Sequence, residues 1–206
     1  MKPADAMPTK PRRIEEGDLS QLFLAARTHN GWLDKGVPDA VLGEIYEVAK
    51  FGPTSMNTQP MRLLFLRTAA AKERLRPHLA PANVDKTMAA PVTAIVGHDL
   101  AFHEHLHRLF PHHPNAKGMF EGKLPLIEMT AFRNGSLQGA YLIIAARALG
   151  LDCGPMSGFD NAGLDAEFFA GTQVKSNFLC NLGYGDHSKV FARSPRFDFA
   201  SVCTLL

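Results

Sequence analysis

Apolar residues change spacing along the chain in a way that marks out helices, strands and the loops between them. From Asp18 to Arg27, Leu19, Leu22, Phe23 and Ala26 recur at helical intervals and deliver the polar run Arg-Thr-His-Asn-Gly-Trp to a loop. Pro38 and Asp39 open a second helix whose face is Val41, Leu42, Ile45, Val48 and Ala49, and Gly52-Pro53 breaks it. After Pro60 the run Leu63 to Leu66 is apolar on both faces, which predicts a buried strand. Helical patterns over Ala69 to Leu79 and Asn83 to Ala90 lead to a second core strand at Val92 to Val96.

The longest apolar pattern, Leu126 to Leu149, is too closely bracketed by Glu128, Arg133 and Arg147 to cross a membrane, which takes about 20 apolar residues. It predicts a helix buried on several sides, either at the centre of the domain or at a subunit interface. Beyond Gly150, residues 151–158 predict a strand entering a Gly-Pro turn, where glycine lets a backbone approach something flat. A helix over Leu164 to Ala170 and a strand over Asn177 to Leu182 follow, then a basic exit carrying Lys189, Arg193 and Arg196 among Phe191, Phe197 and Phe199. Elements in this order imply a mixed α and β domain over residues 18–206, preceded by a polar, flexible tail at 1–17 with no apolar secretory core.

Composition narrows the function classes. The 22 basic and 20 acidic residues are interspersed, so no basic stripe marks a nucleic-acid or anionic-membrane partner. Cys153, Cys180 and Cys203 are odd in number and far apart, which suits reduced thiols in a cytoplasmic protein. His103, His105 and His107 would share one face of a strand, as metal ligands can, but nearby prolines and charges and the lack of a Cys partner favour a solvated excursion, and no metal ligands are assigned. Glycine-rich dinucleotide and P-loop patterns, the nucleophile elbow and the H-E-x-x-H helix are all missing.

What remains is a loop, Gly52 to Pro60, rich in hydroxyls and amides but free of charge, together with dispersed cations at Arg27, Lys86, Lys189 and Arg193 and the glycine-bearing segment at 154–158. The loop residues are also ordinary turn formers. A flat, phosphate-bearing ligand would use all three, with arginine gripping phosphate through paired hydrogen bonds.

Five segments together resemble the flavin-dependent nitroreductase superfamily, most closely its malonic semialdehyde reductase branch. They are Ala-Arg-Thr-His-Asn at 26–30, Gly-Pro-Thr-Ser-Met-Asn at 52–57, Thr-Ala-Phe-Arg-Asn at 130–134, Gly-Pro-Met-Ser-Gly-Phe-Asp at 154–160, and Lys-Ser-Asn with Gly-Tyr-Gly-Asp at 175–186. The resemblance implies an α+β three-layer sandwich, its central, mostly antiparallel sheet wrapped by helices, forming a homodimer with FMN between subunits. It places Arg27, Thr28 and His29 at the flavin phosphate and ribityl chain, joined by Lys189 and Arg193. It brings Pro53, Thr54, Ser55 and Asn57 from the partner subunit, sets Asn83 and Lys86 at the pyrimidine edge, and lays Pro155, Met156, Ser157 and Gly158 along the ring. NADH or NADPH would donate hydride and a small aldehyde, 3-oxopropanoate, would accept it, with no protein nucleophile. A broad nitroarene or quinone reductase is the alternative acceptor class, and a non-catalytic metal-binding or flavin-storage protein is the alternative outside enzymes.

Overall fold

The computed structural model describes residues 12–206. Most of the expected tail, residues 1–11, lies outside the described residues, and the first helix, α1, takes in Glu16–Leu19 before a π-type turn over Ser20–Leu24. The remaining helices are α2 (Asp39–Ala49), α3 (Ala69–Leu75), α4 (Pro81–Ala89), α5 (Leu106–Leu109), α6 (Leu124–Ala148), α7 (Asn161–Phe168) and α8 (Phe199–Val202). Four strands, β1 (Met61–Leu66), β2 (Val92–Asp99), β3 (Asp152–Met156) and β4 (Val174–Gly183), form one sheet in the order β1-β2-β4-β3 with every neighbouring pair antiparallel.

Alternation along the two central strands separates two cores. Val92, Ala94 and Val96 of β2 and Cys180 and Leu182 of β4 face Leu42, Ile45 and Ala49 of α2 and Leu142, Ala145 and Ala146 of α6. Ile95 and Leu179 point the other way, against Leu75 of α3 and Leu164 of α7. Helices therefore cover both faces of an antiparallel sheet, the three-layer α+β sandwich that the sequence implies. All eight residues of β2 are buried, which is why it is nearly continuously apolar over its first five residues.

Two expectations are corrected. Residues 103–107 are not a strand: Phe102–His105 form a 3-10 turn that runs into α5, so the odd-numbered histidines do not share a strand face. Nor is the segment a solvated excursion, because Phe102, Leu106, Ala116 and Phe120 pack with Ile127 and Ala131 of α6 as a third apolar cluster. The second correction concerns Gly154 and Pro155, which lie inside β3 rather than in a turn. Pro155 is tolerated because β3 is an edge strand, paired among the described strands with β4 alone.

Candidate functional site

The segment at 27–32 docks along the outer edge of the sheet. Thr28 forms a parallel bridge to Cys153, the His29 N–H donates to the Cys153 carbonyl at 3.0 Å, and Trp32 bridges to Gly185. The indole N–H of Trp32 donates to the Lys86 carbonyl at 3.0 Å, and the Asn181 amide donates to the same oxygen at 3.2 Å. Three stretches far apart in sequence, at 27–32, 83–86 and 153–158, thus meet on one side of the molecule. The flat group admitted by Gly154 belongs to the protein itself: a Cβ there would lie 2.6 Å from the His29 carbonyl oxygen and 3.3 Å from the Trp32 ring. Gly158 has a different partner, since the Asn83 side-chain amide donates to its carbonyl at 2.7 Å and occupies the space of a Cβ.

Beside this edge the exit segment returns over the π-type turn to border a cavity of about 410 Å³, lined by Arg27, Thr28, Arg147, Phe191, Arg193 and Arg196 among others. Arginine side chains stitch it together: Arg27 donates to the Phe191 carbonyl, Arg193 to the Leu24 and Ala26 carbonyls at 2.7 and 3.2 Å, and Arg147 to the Leu22 carbonyl at 3.1 Å. No Asp or Glu is among the described residues lining it. Four arginines line one space with no carboxylate among the described lining residues, which leaves it positively charged and suited to an anion.

The other predicted residues divide. Lys189 is not in this cavity; its ammonium pairs with Asp186 at 3.6 Å, and its aliphatic stem packs on Gly31. The His29 ring is turned inward and 1% exposed, so it does not present a side chain to the cavity as a phosphate ligand would need. Burial is the main cause lowering its pKa, partly opposed by Asp152 and reinforced by His187, Arg27 and Arg147. Met156 is buried and accepts a hydrogen bond at sulfur from the Thr87 hydroxyl, while Ser157 is exposed.

The uncharged loop at 52–60 lies between α2 and β1, and α6 holds it. Asn134 Oδ1 accepts from the Ser55 N–H at 2.8 Å and Gln138 Oε1 accepts from the Met61 N–H at 2.9 Å, both amides being almost wholly buried. Met56, Asn57 and Gln59 have φ of 52°, 52° and 41°, a left-handed backbone that costs non-glycine residues roughly 1 kcal/mol or more each. Part of that cost is offset by the Asn57 side chain, which donates to the Leu109 carbonyl and accepts from Gln59, both at 2.7 Å. Pro53 and Ser55 are exposed and Thr54 is half-buried. Sequence reasoning gives Gln138, Arg147 and Arg196 no part in this architecture, and Asn134 appears there only as the end of the motif at 130–134, without a partner.

Comparisons with known proteins bear on the family and the fold. A family model described as the nitroreductase family matches residues 11–117. A protein of Cupriavidus pinatubonensis, provisionally named NADH dehydrogenase/NAD(P)H nitroreductase, is 60% identical over 189 residues, covering 91% of this chain and 96% of its own length. HadB of Ralstonia pickettii, which bears the same provisional name, is 61% identical over 189 residues with the same coverage. Among solved structures, ydfN of Bacillus subtilis superposes with a TM-score of 0.85 at 17% identity, covering 93% of this chain and all of its own. A nitroreductase-type structure from Exiguobacterium sibiricum, in complex with FMN, gives 0.82 at 17% identity over 91% of this chain and 97% of that one. With a matched family model over more than half of its length, near-full-length relatives and the same three-layer sheet, the chain belongs to the nitroreductase family.

Proposed function

We propose that the protein is a homodimeric, FMN-dependent NAD(P)H oxidoreductase that reduces 3-oxopropanoate to 3-hydroxypropanoate. The observation that carries the cofactor is the carboxylate-free arginine cavity, whose charge and shape fit a phosphate and the polar chain attached to it. The bound flavin would supply the redox chemistry, taking hydride from the nicotinamide and passing it to the second substrate in a ping-pong sequence. Arg27 and Arg193, with Arg147 and Arg196, would hold the phosphate, and Thr28 would offer its hydroxyl to the ribityl chain. Asn83 and Lys86 would meet the pyrimidine edge, where a fixed ammonium stabilises negative charge on the reduced ring system. Pro155, Met156, Ser157 and Gly158 would border the ring, and Pro53, Thr54, Ser55 and Asn57 would approach from the other subunit.

Support for the dimer comes from α6. Phe132, Leu137 and Tyr141 are 55%, 47% and 39% exposed on a 25-residue helix whose other face is core, and Phe51 nearby in sequence to the loop is 66% exposed. A patch of this kind marks an interaction surface. The aldehyde rests on the motif resemblance, whereas the relatives are named nitroreductases, which favours a nitroarene acceptor. Comparing kcat/KM for 3-oxopropanoate, a quinone and a nitroarene decides between them. An absorbance spectrum of the purified protein, followed by anaerobic titration with NADH and NADPH, tests the whole reading. Protein that neither carries flavin nor gains NAD(P)H oxidation on addition of FMN would overturn it.

A further inference from the structure

His29, Asp152 and His187 do not line the arginine cavity, and one ligand atom from each lies within 4.8 Å of the other two. Their placement follows from the sheet edge. Asp152 opens β3, His29 is fixed by its backbone bond to Cys153, and His187 begins the 3-10 turn His187–Lys189 after β4. The Gly185 N–H donates to Asp152 Oδ2 at 2.9 Å, which leaves Oδ1 at 3.2 Å from His29 Nε2. That spacing is close to the separation of about 3.3 Å between neighbouring ligands in a tetrahedron with bonds of about 2.0 Å. The His187 ring stands edge-on to His29, with centroids 5.1 Å apart and planes at 88°. Gly185 is part of the arrangement, for a Cβ there would meet His29 Nδ1 at 1.9 Å.

An independent observation points to a missing ligand. Although the His29 ring is 1% exposed, neither of its nitrogens has an aligned hydrogen-bond partner among the described residues, the approach to Asp152 being near in distance but wrong in direction. Leaving such a group unpaired forfeits its hydration without return, and buried polar atoms are left so only where something accounts for it. We propose that His29, Asp152 and His187 bind a divalent transition-metal ion of the zinc class. Two imidazoles and one carboxylate suit Zn²⁺, Co²⁺ or Ni²⁺, which bind through nitrogen lone pairs, and not Ca²⁺ or Mg²⁺, which require oxygen. Burial and the neighbouring guanidiniums keep His29 neutral, the form in which an imidazole is a ligand. The Gly185 N–H orients the carboxylate from behind, the usual role of a second layer of hydrogen bonds around a metal. The ion would tie the 183–189 return to the 27–29 segment, while an exposed His187 leaves room for water as a fourth ligand.

The test uses the full-length, flavin-loaded protein. Calorimetric titration with Zn²⁺ is expected to give one ion per chain, and Co²⁺ should produce visible d–d bands on the long-wavelength side of the flavin absorption. His187→Ala and Asp152→Asn should each weaken Zn²⁺ binding about tenfold or more with unchanged circular dichroism, while His107→Ala and His112→Ala leave it unaltered. Because His187 is exposed, its variant folds irrespective of the outcome at Asp152. Absence of stoichiometric uptake, or wild-type Zn²⁺ affinity in His187→Ala, would overturn the proposal.

Discussion

Lys72 offers a prediction whose size can be worked out from the structure. The residue lies on α3, is 5% exposed, and directs its ammonium to the Thr87 and Met88 carbonyls at the C-terminal end of α4, at 3.1 and 3.5 Å. No carboxylate pairs with it among the described residues, and burial lowers its pKa from 10.5 to about 8. Below pH 8 both folded and unfolded chains carry the proton, so the full cost of burying the charge is present. Between about 8 and 10.5 the unfolded chain holds more protons, and stability rises with pH. A gap of roughly two and a half pH units at about 1.36 kcal/mol per unit amounts to about 3 kcal/mol.

Substituting Lys72→Met removes the titration and the two hydrogen bonds together. The net change at neutral pH is a difference between opposing effects, an unpaired pair of helix-end carbonyls against a relieved buried charge. The pH dependence has no such cancellation. Urea unfolding of both proteins at pH 7, 8, 9 and 10, at one fixed protein and flavin concentration, isolates it because all other titrating groups are common to both. Wild type minus variant should climb by about 2–3 kcal/mol across that range. Parallel profiles would refute a charged, buried Lys72. The same residue bears on the site, since α4 carries Asn83 and Lys86, and a loosened α4 should raise the FMN dissociation constant in the variant.

Other expectations follow from individual contacts. Arg193→Ala should weaken FMN binding about 10- to 100-fold and flatten its salt dependence, as measured by fluorescence quenching on flavin titration. Asn134→Ala leaves the Ser55 N–H without its acceptor and should cost about 1–3 kcal/mol in urea unfolding, whereas Asn134→Asp, which keeps an acceptor oxygen, should restore part of it. Asn57→Ala, on the exposed part of the same loop, should reduce flavin retention on gel filtration without dissociating the proposed dimer. Leu137→Glu should shift the protein toward monomer in sedimentation analysis, because it places a charge in the apolar face of α6.

The elements were legible because their physics is local. Each predicted helix and strand has a counterpart within a few residues; the histidine segment, expected as a solvated excursion, is instead a 3-10 turn and short helix packed on α6. There Phe102, Leu106 and Phe110 recur four residues apart, a helical signal that the alternation of His103, His105 and His107 obscured. Pro155 was read as a turn residue because proline in a strand is allowed only at an edge, and edge position is a property of the sheet rather than of the strand.

Site architecture was less legible for a related reason: its bonds span the chain. Asn134 and Gln138 close on partners 79 and 77 positions away, and Arg193 reaches back 169 and 167 positions to Leu24 and Ala26. Nothing local distinguishes these side chains from solvated ones. The uncharged loop shows how the two levels combine. Its turn-forming residues explain a sharp connection, yet three consecutive-to-near-consecutive residues in left-handed conformation, none of them glycine, do not arise from turn preference alone. Buried amides from α6 fix both of its ends, and its exposed hydroxyl and amide groups project from a backbone held under strain. Strain retained at such a place argues that the shape of the loop, and not only its composition, is what the fold has been built to present.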